Sequence, residues 1–424
     1  MNRIGAIALG ALACECHTLF LISMSHEPKQ QDGHSATPGK KRRIESLDIL
    51  KGLVMVIMVL DHVRDFFHVD VHNFAPTDPI LSNLPNFFTR WITHFCAPTF
   101  VFLSGASIAF IASRKTASQT RAFLLSRGVW LMFCDAVVVS FLWLFDVDFE
   151  LFILGVIWVI GLAMVCSAFV FRLDTRTLVV FTLAIALGHH ALDPLNHDSP
   201  TLLHALLHQQ WKFEYGFGAI AVAYPLLPWL GVMWGGIVLG RACLTMPVEE
   251  RLSSLKRCGL ILTLGFVVVR LWNGYGNSDL WEIQSTHSGT LIDFFNPAKY
   301  PPSLAYLAMT LGPALLILSQ LENVSNRIVQ WLMVFGKVPF FFYLIHILVI
   351  HLLAIPVAAF QGFGWGAMFL DEFVAVDESL QGYGFSLLGT YVIWAGVVVL
   401  LYRPSRWWMR YKKNNPEKGW LSYL

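Results

Sequence analysis

The chain of 424 residues is 56% hydrophobic and 14% charged, with a formal net charge of +2. Soluble domains carry about 25% charged residues, so this composition excludes a soluble globular protein, and no nucleic-acid partner is expected. A mean hydropathy of +0.58 and long apolar runs predict an all-α fold, a polytopic bundle of about ten membrane helices.

Residues 4–24 form an apolar segment after Arg3, interrupted by Glu15. A signal sequence or anchor, an extra first helix, and a misassigned start all fit it. Residues 25–43 are polar, end in K-K-R-R and read as a flexible basic linker. Ten apolar spans follow, at 45–66, 94–113, 127–146, 150–171, 177–191, 217–240, 257–272, 303–319, 338–356 and 386–402. Together 44–410 make one membrane domain, and 411–424 a basic tail.

Charge sets the orientation. With the 25–43 linker in the cytoplasm, alternate connections on that side collect most of the Lys and Arg. The opposite side holds only Arg64, Arg90, Lys212, Arg270 and Lys299, in loops that are acidic and His-rich. The positive-inside rule then places the C-terminal tail in the cytoplasm. It also counts against cleavage after 4–24, which would put the basic linker outside. The expected location is the cytoplasmic (inner) membrane of a bacterium, with membrane lipids as neighbours and a homo-oligomer possible. No internal repeat is visible, which weakens a transporter built from inverted repeats.

The seven cysteines (14, 16, 96, 134, 166, 243 and 258) include no C-x-x-C pair. They read as single small hydrophobes. Cys14-Glu15-Cys16-His17 and the histidines 189, 190, 197, 204 and 208 are weak metal signals without an H-E-x-x-H, so no metal is expected.

Residues 45–68 carry an apolar run with Asp48 and Lys51 near its start and Asp61, His62, Arg64 and Asp65 near its end. Each such charge costs roughly 2.5–3.5 kcal/mol at a bilayer centre on insertion scales. As a helix, Asp48 and His62 lie near one face, roughly 21 Å apart along the axis. Met55, Met58 and Val59 lie between them, and Lys51 is one turn from Asp48. The plain reading is interfacial anchoring and helix–helix hydrogen bonding. The functional one is a site at the extracytoplasmic mouth, with His62 a base oriented by Asp61 or Asp65, its nearest carboxylates.

Arg90, Thr93 and His94 stand where the next span begins, ahead of the small residues Ser104-Gly-Ala-Ser107, which permit close helix packing. His346 falls well inside a later span, and intramembrane histidines face the bundle interior. Tyr224-Pro-Leu-Leu-Pro-Trp-Leu-Gly and Lys299-Tyr-Pro-Pro-Ser read as kinks or re-entry points.

R-I-E-S-L-D-I-L-K-G with L-D-H-V-R-D-F-F, T-H-F-C-A-P-T-F-V-F-L-S-G, Y-P-L-L-P-W-L-G, K-Y-P-P-S-L and G-K-V-P-F-F-F-Y-L-I-H resemble motifs of the bacterial DUF1624 membrane family. That family is similar to the catalytic domain of heparan-α-glucosaminide N-acetyltransferase, and the resemblance runs over about 43–410. It implies a transmembrane acyltransferase that takes an acyl group from acyl-CoA on the cytoplasmic side and delivers it to a sugar across the membrane. In the lysosomal relative the position matching His62 is similar to an asparagine. The essential histidine falls in the following loop, where this chain offers His68 and His72, and the position of His94 resembles an aspartate.

The expected function is therefore transfer of an acyl group, acetyl first, from acetyl-CoA or another acyl-CoA to a glycan hydroxyl or amine. His62 is the expected base, with Asp61, His94 and His72 as further catalytic candidates. Arg64, Asp65, Arg90, His346 and Asp48 are candidates to bind the acceptor, and Arg121, Arg127, Arg251 and Arg257 to bind CoA phosphates. Arg90 or Thr93 is the candidate oxyanion donor. A transporter or flippase of a glycan or lipid precursor, and a non-catalytic membrane subunit, are the alternatives.

Overall fold

The computed structural model describes residues 44–424 except 197, 217 and 323. The 4–24 segment, the 25–43 linker, Cys14, Cys16 and His197 lie outside the described residues. The fold is an all-α bundle arranged around its first described helix, α1 (Glu45–Phe67).

Helix α1 has Glu45 and Asp48 in its first turn and Arg64 in its last, which suits the helix dipole. It ends at His68, whose extended backbone bridges to Phe385. Most of α1 is buried, including Asp48, Arg64 and Asp65. Around it stand α3 (Cys96–Ala112), α13 (Arg327–Gly336), α14 (Pro339–Phe360) and α15 (Leu387–Asn414). The helical α2 (Leu84–Thr93) lies across its far end. A second layer joins α3 to α9 (Leu226–Thr245), α9 to α7 (Thr175–Gly188), α4 (Ala117–Phe133) to α6 (Val156–Val170), and α10 (Val248–Trp272) to α12 (Leu304–Gln320). The short helices α5 (Ser140–Leu144), α8 (Leu202–Leu207) and α11 (His287–Phe294) complete the set.

Each of the ten expected spans contains a helix. Among the described residues, seven helices are long and apolar enough to cross a membrane, and α6, α12 and α13 are shorter apolar helices. Several ends differ from expectation. Helix α4 begins at Ala117, ten residues before 127, with a capping box between Thr116 and Gln119. Helix α10 begins at Val248 and α15 continues to Asn414. Hydropathy marks the hydrocarbon, and a charged turn ends an apolar run without ending a helix. Helix α13 lies where a simple connection was expected.

Two expected spans begin as strands. Residues Leu151–Leu154 (β1) pair parallel with Gly218–Val222 (β3), and Trp211–Tyr215 (β2) pairs antiparallel with β3. Both L-F-I-L and G-A-I-A-V are strand-like in composition and are cut from their helices by Gly155 and Pro225. Y-P-L-L-P-W accordingly starts a helix, with Pro225 at its N-cap. In K-Y-P-P-S the Tyr300–Pro301 peptide is cis and Ser303 caps α12.

Small residues set how closely α1 is held. A Cβ on Gly336 would meet the Asp48 carbonyl, and one on Gly52 the Leu332 carbonyl, so the α1 and α13 backbones touch. Gly105 and Gly236 make the same kind of contact between α3 and α9. Gly336→Ala is therefore expected to destabilise the bundle by about 1–3 kcal/mol through overpacking. Gly396→Ala, on α15 with nothing within 4 Å of its added carbon, is the control and should hold or raise the melting temperature. Thermal unfolding in detergent reads both, and an unshifted Gly336→Ala would refute the close crossing.

Candidate active site

The last turn of α1 brings Asp61, His62, Arg64 and Asp65 to one end of the bundle, facing α2 and α14. Arg90 Nη1 donates to both Asp61 oxygens at 2.5 Å. Arg64 Nη2 donates to Asp65 at 2.6 Å and lies 3.5 Å from Asp61. Two carboxylates and two guanidiniums thus neutralise one another in a largely buried frame, the arrangement that makes buried charge tolerable.

His62 is only partly buried. Its Nδ1 lies 2.6 Å from Nε2 of His346, from the middle of α14. His346 Nδ1 lies 3.0 Å from the Phe342 carbonyl. A carbonyl only accepts, so His346 Nδ1 carries a hydrogen. In the neutral ring its Nε2 then accepts, and His62 Nδ1 donates. The order Phe342 carbonyl, His346, His62 leaves the Nε2 lone pair of His62 as the free basic end. Trp143 sets its ring edge-on to His62 at 4.8 Å between centroids, and Tyr343 lies at 6.4 Å. This corrects the expected partner: His62 is oriented by a histidine from α14, with Asp61 and Asp65 given over to arginine.

The remaining candidates divide by place. His94 is buried beside the same frame, with its ring 5.5 Å from Tyr306 and its carbonyl accepting from the Tyr306 hydroxyl at 2.8 Å. Thr93 is an unsuitable oxyanion donor, since its hydroxyl donates to the Arg90 carbonyl at 2.7 Å. His68 is a structural tie, bonded to the Phe385 carbonyl and to Asn86. His72 sits outside the bundle in a short turn, 6.4 Å from Tyr383. Burial holds its pKa below the usual range, against the pull of Asp377 and Asp65. Near the frame, burial raises the Tyr300 phenol, but the Lys299 and Arg90 cations outweigh it and hold the pKa below the usual range. In the His-rich loop, Asp193 bridges His190 and His208, and His204 meets Asn196.

At the opposite, basic end, a cavity of about 890 Å³ is lined by Asp48, Lys51, Arg114, Arg251 and Glu322 among others. A second, apolar cavity of about 250 Å³ shares Lys51, Ser107 and Ile111 with it. It continues past Met55 and Phe100 to Tyr343, beside His62. Of the expected phosphate ligands, Arg251 lines the larger cavity but pairs with Glu322 at 2.6 Å. Arg127 lines the apolar one, donates to the Ser422 carbonyl at 2.8 Å, and packs over Phe340 and Tyr423. Arg121 donates to the Ala168 carbonyl, and Arg257 is exposed on α10, in neither cavity lining. Lys51 was not expected as a ligand. Lys51 donates to Ser107, at the junction of the two cavities.

Tyr343 was also missed, although it lies three residues before His346 and so shares its helix face.

Comparison with protein families gives a match over residues 43–267 to the family described as heparan-alpha-glucosaminide N-acetyltransferase, catalytic. No curated protein matches the chain. The matched stretch covers more than half of the sequence and carries α1 and α2 with Asp61, His62, Arg90 and His94, while His346 lies beyond it. The chain is a membrane protein that belongs to the heparan-alpha-glucosaminide N-acetyltransferase catalytic family.

Proposed function

We propose that this protein moves an acyl group, acetyl first, from acyl-CoA at its basic end to a sugar hydroxyl or amine at its opposite end, with His62 as general base. The observation that carries the reading is the His62–His346 pair, which leaves His62 Nε2 as its basic end, next to Tyr343 in the wall of an apolar cavity that shares lining residues with a basic vestibule.

Lys51 and Arg114 attract the donor's phosphates in the vestibule, with Arg251 held beside them by Glu322. Eleven residues separate Lys51 from His62, roughly 16 Å along a helix at about 1.5 Å per residue. The donor's uncharged arm spans that interval along Met55 and Tyr343 and sets its thioester near His62. His62 Nε2 takes the proton from the acceptor as its oxygen or nitrogen attacks the thioester carbon. The carbon–sulfur bond then breaks, and His62 returns the proton to the departing thiolate. The products are the acylated acceptor and the free thiol, with no net proton change. His346 fixes the tautomer throughout and does not touch the reactants. The excess of Lys and Arg at the basic end supports a reading in which that end faces the cytoplasm, with a bacterial inner membrane as the proposed location.

His62→Gln should lower thiol release from acetyl-CoA by about 10²–10⁴-fold, the usual worth of a positioned base, with the melting temperature kept. His346→Phe should lower kcat with little change in KM, since it removes the group that orders the His62 tautomer. Full activity in His62→Gln would remove His62 from the chemistry. Lys51→Gln and Arg114→Gln together should raise the KM for acetyl-CoA with kcat largely kept, and an unchanged KM would move the donor site elsewhere. Asp61→Asn leaves Arg90 buried and unpaired and should cost about 3–5 kcal/mol of stability, read as a lowered melting temperature. A stable, inactive Asp61→Asn would instead give Asp61 a chemical role.

A further inference from the structure

A further cavity of about 340 Å³, sharing Ile108 with the apolar cavity and Leu244 with the vestibule, lies at the basic end, between the ends of α3, α6 and α9 and the start of α4. Its floor is apolar, formed by Ile108, Ala109, Ile237 and Leu244, and its rim carries Arg172 and Arg241. Arg241 is fixed in place, donating to Thr175 Oγ1 at 3.1 Å and to the Phe171 carbonyl at 2.7 Å. Arg172 is exposed and has no ion-pair partner among the described residues. The adjoining sequence adds Arg114, Lys115, Arg121 and Arg176 against Glu249, Glu250 and, two residues from Arg172, Asp174. The Asp174 carboxylate is spent capping α7, accepting from the Thr177 backbone at 3.0 Å and its hydroxyl at 2.6 Å.

We propose that this cavity binds one anionic phospholipid, its acyl chain on the aliphatic floor and its phosphate between Arg172 and Arg241. Charge complementarity selects the anion, because among the described residues the lining carries two arginines and no carboxylate. The floor selects a lipid over a nucleotide: among the described residues, Ser113 is the only polar side chain in the lining besides the two arginines, so a base would lose its hydrogen bonds there. The place is also where such a ligand is at hand, since basic recesses between membrane helices at the headgroup level suit anionic lipids. The acyl-transfer reading does not enter this inference.

Native mass spectrometry of the full chain in detergent tests it, with phosphatidylglycerol, phosphatidylcholine and inorganic phosphate as probes. One phosphatidylglycerol per chain should be retained, phosphatidylcholine at least fivefold more weakly, and inorganic phosphate should not displace the lipid. Arg172→Gln, at an exposed position, should weaken phosphatidylglycerol about fivefold, the usual share of one basic residue. Ala112→Phe should fill the cavity and remove the lipid while the melting temperature without lipid holds. Equal retention of the two phospholipids, displacement by phosphate, or lipid binding unchanged in both folded variants would each overturn the proposal.

Discussion

The structure depends on one constraint: a helix that carries charge at both ends of an apolar run cannot face hydrocarbon on all sides. Helix α1 holds Asp48 and Lys51 in one half and Asp61, Arg64 and Asp65 in the other. Enclosing it removes the penalty only where the enclosing helices bring partners, because in a bilayer no water completes the pairing. Helix α2 brings Arg90 to Asp61, and α3 brings Ser107 to Lys51. The glycine contacts with α13 serve the same need, since they bring a backbone close against the half of α1 that carries Asp48.

That constraint also shapes the chemistry available to His62. A carboxylate partner would stabilise an imidazolium, as in triads built on aspartate. Here the carboxylates are neutralised by Arg64 and Arg90, and the partner is another imidazole. His346 gives direction without adding charge to the α1–α14 contact, and its own direction comes from a helix carbonyl one turn back. The ordering element is thus the backbone of α14, which side-chain rotation cannot disturb.

Much of the bundle was legible because burial in lipid demands unbroken apolar length, and ten such lengths can be read directly. Helix α13 and the three-stranded sheet were not, since short elements at the membrane surface have no such demand on composition. His62 was legible as a polar residue closing an apolar stripe. Its partner was not, for a reason that lies in helix geometry. Neighbours one residue apart on a helix point about 100° away from each other, so Asp61 was never placed to reach the His62 ring. The group that does reach it lies 284 residues further along, and only the packing of α14 on α1 brings the two together. The arginines divide for a related reason, Arg127 and Arg251 lining the cavities and Arg121 and Arg257 not. Local density of positive charge says which end of the bundle is basic, but not which faces turn inward. Arg257 turns out to be exposed, and Lys51, a single cation in an apolar stretch, turns to the cavity.

The separation between the cations and His62 carries its own argument about what the site can accept. Phosphate carried past Met55 and Phe100 would lose its hydration where the cavity's own Arg127 is already bonded to the Ser422 carbonyl, so burying the charge there is costly. A donor whose charge lies next to its reacting carbonyl would therefore stop at the vestibule, one helix half short of the base. One whose charged end and reacting end are joined by a long neutral arm meets both requirements at once. Under the proposed function the cavity would discriminate by how charge is distributed along the donor, with the apolar middle of α1 as the element that enforces it.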